Sequence, residues 1–559
     1  MPGGTGREGQ YLSLDVVLEC NKVQTIATDS TGEIHMRRRD LLKAAPLLAT
    51  MPLTAPALAQ AQKPLRFIPQ ANLTALDPVW TTAVITYNHA YMVYDTLFGY
   101  DGAGNIRPQM CAGHEISADG LTWTFTLREG LMFHDNQKVR AQDCVPSLMR
   151  WGSRDSFGQH LMRYVNEIVA LDDKRFAIRL KKLCPQLLFG LGARQCFMMP
   201  ERVAIRPGTE QLTDPIGSGP FRFLKDEWVS GVSAAYARFD GYVPRQEPAM
   251  FFAGGKVANF SRVEWTVQPD PATAAAALQR NETDWVELPL IDLVPMLKKS
   301  PGVNTAILDP GGWLMFMVLN HLNPPFDNLK IRQAVQMVVD QQVFVESVVG
   351  DQKELALIPT PLFPPTMPMG NKAGMERWNG PRDIAGAKRL IAEAGYKGEP
   401  VMLMAPSDQP ALMQMSEVAR ALFLSIGLNV DYRVMDWGSV VTRRANPNPV
   451  DQGGWGAFIS VMSTLTGANP VSMLPLRGNG RKGWFGWPTD EKLEQLREAW
   501  FDAPDLAAQR AIAEQVQLRF YETVPFLTLC RMQQPTAFRS DIKDLVSASF
   551  PVFWGVRRG

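Results

Sequence analysis

The sequence predicts an α/β fold built as two lobes around a hinged cleft, with an enlarged, strand-rich first lobe. Three features carry that expectation. In the first half, apolar Leu121, Trp123, Phe125 and Leu127 alternate with Thr122, Thr124 and Thr126, the period-two pattern of a half-buried strand. From about residue 320 the period lengthens to that of a helix, with Ile331, Val335, Val338 and Val339 on one face. The end of the chain turns extended again over residues 525–529.

Taken in order, Gly130 closes the first clear strand with a turn, and Leu131 and Phe133 resume an extended pattern. Phe176, Ile178 and Leu180 form a further strand after a turn at Asp172 and Asp173. The helix through Ile331 meets a stop at Gly350. Ile384, Ala387, Leu390, Ile391 and Ala394 make a second amphipathic stripe ended by Gly395. Residues 401–405 read as a short buried strand, 411–425 as a helix broken by Gly427, and 428–434 as another strand. Strand, helix and strand in that order form a crossover unit with parallel strands. Two helices, about 490–501 and 506–523, precede the final extended segment, which is expected to return to the first lobe. Two connections, near 310–320 and 520–535, then lie side by side as a hinge. The expected division is 60–315 plus 526–559 for lobe I and 316–525 for lobe II.

Ahead of these elements, Arg38, Arg39, Asp40, Leu41, Leu42 and Lys43 lead into a weakly apolar run broken by Pro46, Pro52 and Pro56, which ends at Ala57, Leu58 and Ala59. A membrane-spanning helix needs roughly 20 apolar residues. The run is therefore read as a twin-arginine export signal over 36–59, cleaved near Ala59 to release a soluble periplasmic protein. Residues 1–35 show neither a charged leader nor a periodic pattern, and Met36 reads as the true start, with 1–35 a mis-assigned extension.

Composition narrows the chemistry. The chain of 559 residues is 46% apolar with a net charge of +1, ample for large cores and without the cationic excess that nucleic-acid binding requires. Five cysteines follow the expected cleavage point: Cys111, Cys144, Cys184, Cys196 and Cys530. Cys184 and Cys196 have the spacing to flank a turn as a disulfide, against the alternative of small buried apolar residues. The histidines are scattered without metal-ligand spacing, so no metal and no cofactor is expected. No nucleophile elbow occurs, since Ser218 lacks a glycine two residues before it. Gly478, Gly480 and Gly483 match the letters of a dinucleotide fingerprint without its strand and helix.

Residues 119–135, from Asp119 and Gly120 through Trp123 and Gly130 to His134 and Asp135, are continued by Ala141, Gln142 and Asp143. Together with residues 94–98, 217–221, Asn320, Pro325, Phe326, Asp327 and Arg332, they resemble the solute-binding proteins of ABC importers, in the family of dipeptide, oligopeptide and nickel-complex binders. The resemblance implies a periplasmic-binding-protein-like fold and a monomer that captures a small molecule or short peptide by lobe closure. It also implies an ABC permease in the inner membrane as partner and no catalysis. An exported hydrolase, or a sensory or chaperone protein on the same scaffold, is the alternative.

Peptide-binding relatives carry a Trp-x-x-Asp element whose carboxylate holds the peptide's amino group. Here the stretch begins at Trp455 and places Phe458 at the carboxylate position, with only Ser460 and Ser463 as neutral substitutes. The resemblance thus points to Trp455 and Phe458 as ligand walls and to a neutral or blocked ligand, unless Asp436, Asp451 or another acid reaches in. Trp80, Asn88 and Tyr94 from the first lobe and Trp313 near the hinge are further wall candidates, each with core packing as its alternative. His134 is expected to cap or pack, and the aromatic cluster at Trp484, Phe485 and Trp487 to pack as an exposed loop on its own lobe, with a cleft rim as the alternative.

Overall fold

Short apolar runs at Leu65–Ile68 and Trp285–Val286 pair in parallel near the middle of a seven-stranded sheet, as seen in the computed structural model, which describes residues 63–559 except 104 and 194. The expected extension and export signal lie outside the described residues. Across that sheet the strands run Val303–Ile307, Pro535–Arg539, Trp285–Val286, Leu65–Ile68, Arg262–Thr266, Ser233–Arg238 and Phe221–Phe223. A second sheet of five strands runs Val430–Met435, Val401–Pro406, Ala457–Met462, Trp313–Leu319 and Phe526–Met532. Its strand Trp313–Leu319 is buried at all seven positions, because both faces are covered. Each fully buried Leu, Val or Met there contributes about 1.5–3 kcal/mol.

The alternating segment found in the sequence is the strand Thr122–Leu127, inside a four-stranded antiparallel sheet with Cys111–Ile116, Arg175–Leu180 and Val165–Ala170. Gly120, at φ +72°, makes the turn into it, and Asp119 accepts a hydrogen bond from the Leu121 N–H at 3.0 Å. Phe125 is buried, while Trp123 is half-buried and stacks on His114. The crossover unit forms as expected: Val401–Pro406 and Val430–Met435 pair in parallel, joined by the helix Pro410–Ser425.

Three expectations change. Leu131 and Phe133 do not continue a strand, because the chain turns back on itself with only a bridge between Met132 and Lys138. The helix expected from Ile331 to Gly350 is two helices, Leu329–Val338 and Gln341–Val349. Asp340 breaks it by capping the second, its carboxylate accepting from the Gln342 N–H at 3.0 Å. The segment Phe526–Met532 does not return to the strand-rich half at once: it pairs antiparallel with Trp313–Leu319 in the five-stranded sheet. Only Pro535–Arg539, two residues later, enters the seven-stranded sheet. The crossings between these sheets are therefore residues 308–312 and 533–534, and Gln533 Nε2 ties them by donating to the Pro310 carbonyl at 3.0 Å.

Most of the signature residues are architectural. His134 accepts from the Gly217 N–H at 3.4 Å and reaches the Gly219 carbonyl at 3.0 Å through its other ring nitrogen, and burial lowers its pKa to about 4. Asp95 pairs with Lys256 at 2.7 Å, both fully buried, and accepts from the Tyr242 hydroxyl at 2.9 Å. Asn320 donates to the Trp455 carbonyl at 2.8 Å and fixes the approach to the strand Ala457–Met462. The five cysteines among the described residues are buried free thiols, so Cys184 and Cys196 are not bridged.

Candidate ligand-binding cleft

The elements that meet around Trp313 come from the five-stranded and seven-stranded sheets and from the helix Ala141–Arg154. A cavity of about 160 Å³ is walled by residues 78–87, by the helix Ala141–Arg154 and the residues after it, by strands Trp313–Leu319 and Ala457–Met462, and by Trp484. A buried ion pair holds the first wall in place. Arg150 grips Asp77 at 2.8 Å and donates to the Glu210 carbonyl at 2.7 Å, while Asp77 accepts from the N–H groups of Val79 and Leu212 at 3.0 Å. A second cavity of about 180 Å³ shares Trp313 and Val461 with the first. A third, of about 40 Å³, shares Trp313 and Phe550 with the first and Trp313, Gln70 and Gln534 with the second. The three form parts of one cleft passing the crossings.

Trp80, Trp313 and Ser463 line this cleft as expected positions. Trp80 is 42% exposed at its wall. The Ser463 hydroxyl is engaged with Thr466 Oγ1 at 2.8 Å. The other expected wall residues do not line these cavities. Asn88 and Tyr94 are buried because nine of the ten residues in the helix Val84–Val93 are packed in the core, and Tyr94 follows it directly. Trp455 and Phe458 are fully buried behind the cleft, their ring centroids 4.9 Å apart, with Phe458 6.3 Å from Trp484. The Trp455 indole N–H donates to the Arg444 carbonyl at 3.1 Å. Ser460 is buried on the same sheet face as its pairing partner Phe316. Beside Trp313, the aromatic residues that reach the cleft from this half are Phe316 and Trp484, the latter in the cleft-rim position that is the alternative to packing on its own lobe. Arg444 stacks behind Trp484, 5.7 Å from its ring.

Sequence reasoning missed the charged groups of the cleft. Glu287 stands just past the carboxyl end of the strand Trp285–Val286, and Gln70 just past that of Leu65–Ile68. The outer ends of adjacent parallel strands are where open α/β sheets hold ligands. Glu287 accepts from the Gln70 N–H at 2.8 Å and from Asn88 Nδ2 at 2.9 Å. It is 5% exposed, and burial raises its pKa to about 7, above what those hydrogen bonds restore. Asp309, on the first crossing, is also raised by burial, opposed by Ser549, the Gly311 N–H, Thr464 and Arg531. Only a charged residue directly after a strand, as in Val286 followed by Glu287, was available as a signal, and it is a weak one.

The arrangement has the features of a small-molecule site: a partly open volume, aromatic walls and a few buried polar groups, lined from two sheets that connect through two short crossings. Residues 105–484 match the model for bacterial extracellular solute-binding proteins, family 5. A probable peptide ABC transporter periplasmic-binding protein, y4tO of Sinorhizobium fredii, is 37% identical over 93% of this chain and 99% of its own. The dipeptide-binding protein of a Pseudoalteromonas species, solved with Met-Leu, superposes with a TM-score of 0.75 at 18% identity, over 89% of this chain and all of its own. AgaA of Agrobacterium tumefaciens, solved with agropinic acid, gives 0.74 at 20% identity, over 89% and 99%. The likeness to the two solved structures extends to the two-lobed fold, and with the match over most of its length the chain belongs to the bacterial extracellular solute-binding proteins of family 5.

Proposed function

We propose that this chain is the periplasmic substrate-binding component of an ABC importer, which captures a peptide-like or other small solute by lobe closure and delivers it to an inner-membrane permease. The observation that carries this reading is the cleft around Trp313, walled from separate sheets that are joined through residues 308–312 and 533–534. One lobe then holds the seven- and four-stranded sheets with residues 535–559, and the other holds the five-stranded sheet from Trp313 to Met532. A solute touching both lobes favours the closed state by its differential affinity for it. The reading includes export by the twin-arginine leader, a monomeric receptor, and binding without turnover. Peptide as the solute class draws on the name of the Sinorhizobium relative, and an opine-like solute on the neighbour solved with agropinic acid.

Small-angle scattering of the protein with and without a panel of peptides and opines tests the reading. A receptor contracts with at least one solute and returns it chemically unchanged; a profile unaltered by every compound, or turnover of any of them, refutes it.

A further inference from the structure

The hinge end of the cleft carries acceptors that its own donors only partly meet: Asp309 Oδ1 accepts from the Gly311 N–H at 3.1 Å, and Ser549 and Thr464 stand close enough to favour its ionised form. Asp309 Oδ2, Gln534 Oε1 and Ser549 Oγ are buried without a well-aligned hydrogen bond, and all three residues line the small cavity beside Trp313. Ser549 is 3% exposed, so water does not reach its hydroxyl from outside. Glu287 lines the same cavity, its carboxylate held by Gln70 and Asn88 but by no ion pair among the described residues. The buried Arg531 favours the ionised form of Asp309 and its guanidinium nitrogens have no hydrogen-bond partner among the described residues, but no ion pair there joins the two and Arg531 does not line this cavity. An anion placed here meets two carboxyl groups, and an apolar group leaves Asp309 Oδ2 and Gln534 Oε1 unmet. An ammonium brings three donors, a guanidinium five, and either brings a positive charge to Glu287, which has no ion-pair partner among the described residues. Trp313 contributes an aromatic ring to the same cavity.

We propose that a cationic group of the solute, an ammonium or a guanidinium, docks in this hinge-side subsite against Glu287, Asp309, Gln534 and Ser549. The inference rests on the reading of the cleft as the solute site. It moves recognition of positive charge away from the strand Ala457–Met462, where Phe458 stands, to the crossings themselves. Asp309 lies on one crossing and Gln534 on the other, so the bound cation contacts both segments that must flex when the lobes close.

The test uses free di- and tripeptides with uncharged side chains and their N-acetylated counterparts as probes, with affinity read by titration calorimetry and closure by scattering. Free forms are expected to bind and acetylated forms not to. Glu287→Gln and Asp309→Asn are expected to weaken binding of the free forms on the order of 10–100-fold, the range of a charge-assisted bond. Ser549→Ala and Gln534→Ala, which alter no charge, carry the test if either charge variant fails to fold, with a smaller loss expected. Acetylated peptides binding as tightly as free ones, variants retaining wild-type affinity, or no free peptide binding at all would overturn the proposal. Closure around an acetylated peptide refutes the subsite and leaves the receptor intact, whereas no closure with any solute refutes the receptor reading.

Discussion

Replacing Glu287 by glutamine separates two effects that the structure assigns to one buried carboxyl group. Burial raises its pKa from the ordinary 4.5 to about 7. An acid with a raised folded-state pKa binds its proton more readily when folded, so between pH 4.5 and 7 the native state holds more protons than the unfolded chain. Stability therefore falls as pH rises through that window. At about 1.4 kcal/mol per pKa unit, the ligand-free wild type loses roughly 3 kcal/mol from this group between pH 4.5 and 8. In Glu287→Gln that loss is absent. The substitution has its own penalty, because the carboxylate accepts from Gln70 Nε2, the Gln70 N–H and Asn88 Nδ2, and an amide must turn its NH₂ toward one of these donors. That penalty, about 1–3 kcal/mol, does not depend on pH. The diagnostic quantity is thus the change in the stability gap with pH. Urea unfolding of both proteins from pH 4.5 to 8 is expected to show the gap moving by about 3 kcal/mol in favour of the variant. A gap that stays constant across the window would refute the assignment of an uncompensated buried carboxyl to this site.

Other substitutions probe the walls of the cleft and the scaffold beneath it. Trp80→Ala removes a wall residue that is 42% exposed, and solute affinity is expected to fall about 10-fold by calorimetry with little change in melting temperature. Asp77→Asn leaves Arg150 buried without its counter-charge; a loss of about 3–5 kcal/mol in chemical denaturation is expected. Phe458→Asp places a carboxylate between Trp455 and Trp484 at a fully buried position. The variant is expected to melt well below the wild type without gaining affinity for free peptides, and a gain in affinity would show that this position reaches the cleft after all.

Elements with a strong period were legible in the sequence. The threonine-spaced strand at Thr122–Leu127, the helix Leu506–Thr523 and the parallel pair Val401–Pro406 and Val430–Met435 lie within a residue or two of where the pattern put them. The failures share a cause. Asp340 splits a helix because its side chain bonds locally to the backbone, an effect invisible to apolar periodicity. Phe526–Met532 is apolar enough to serve either sheet, and its partner is decided by pairing with Trp313–Leu319, more than 200 residues away in sequence. No window-based pattern contains that information.

The site was less legible for a related reason. Aromatic residues report their bulk in sequence but not the direction they face, and the structure separates Trp80 and Trp313, which reach the cleft, from Trp455, Phe458 and Tyr94, which are spent on packing. Glu287, Asp309 and Gln534 carry no motif at all. They become a set only because Leu65–Ile68 and Trp285–Val286 end side by side, and because the two crossings run together past Trp313. Charge recognition that arises from topology in this way can shift along the cleft without altering the signature residues, since His134, Asp95 and Asn320 hold the frame through contacts of their own. A chain can therefore keep the frame of its family while Phe458 replaces a carboxylate, provided the acids that meet the solute stand elsewhere on the same cleft.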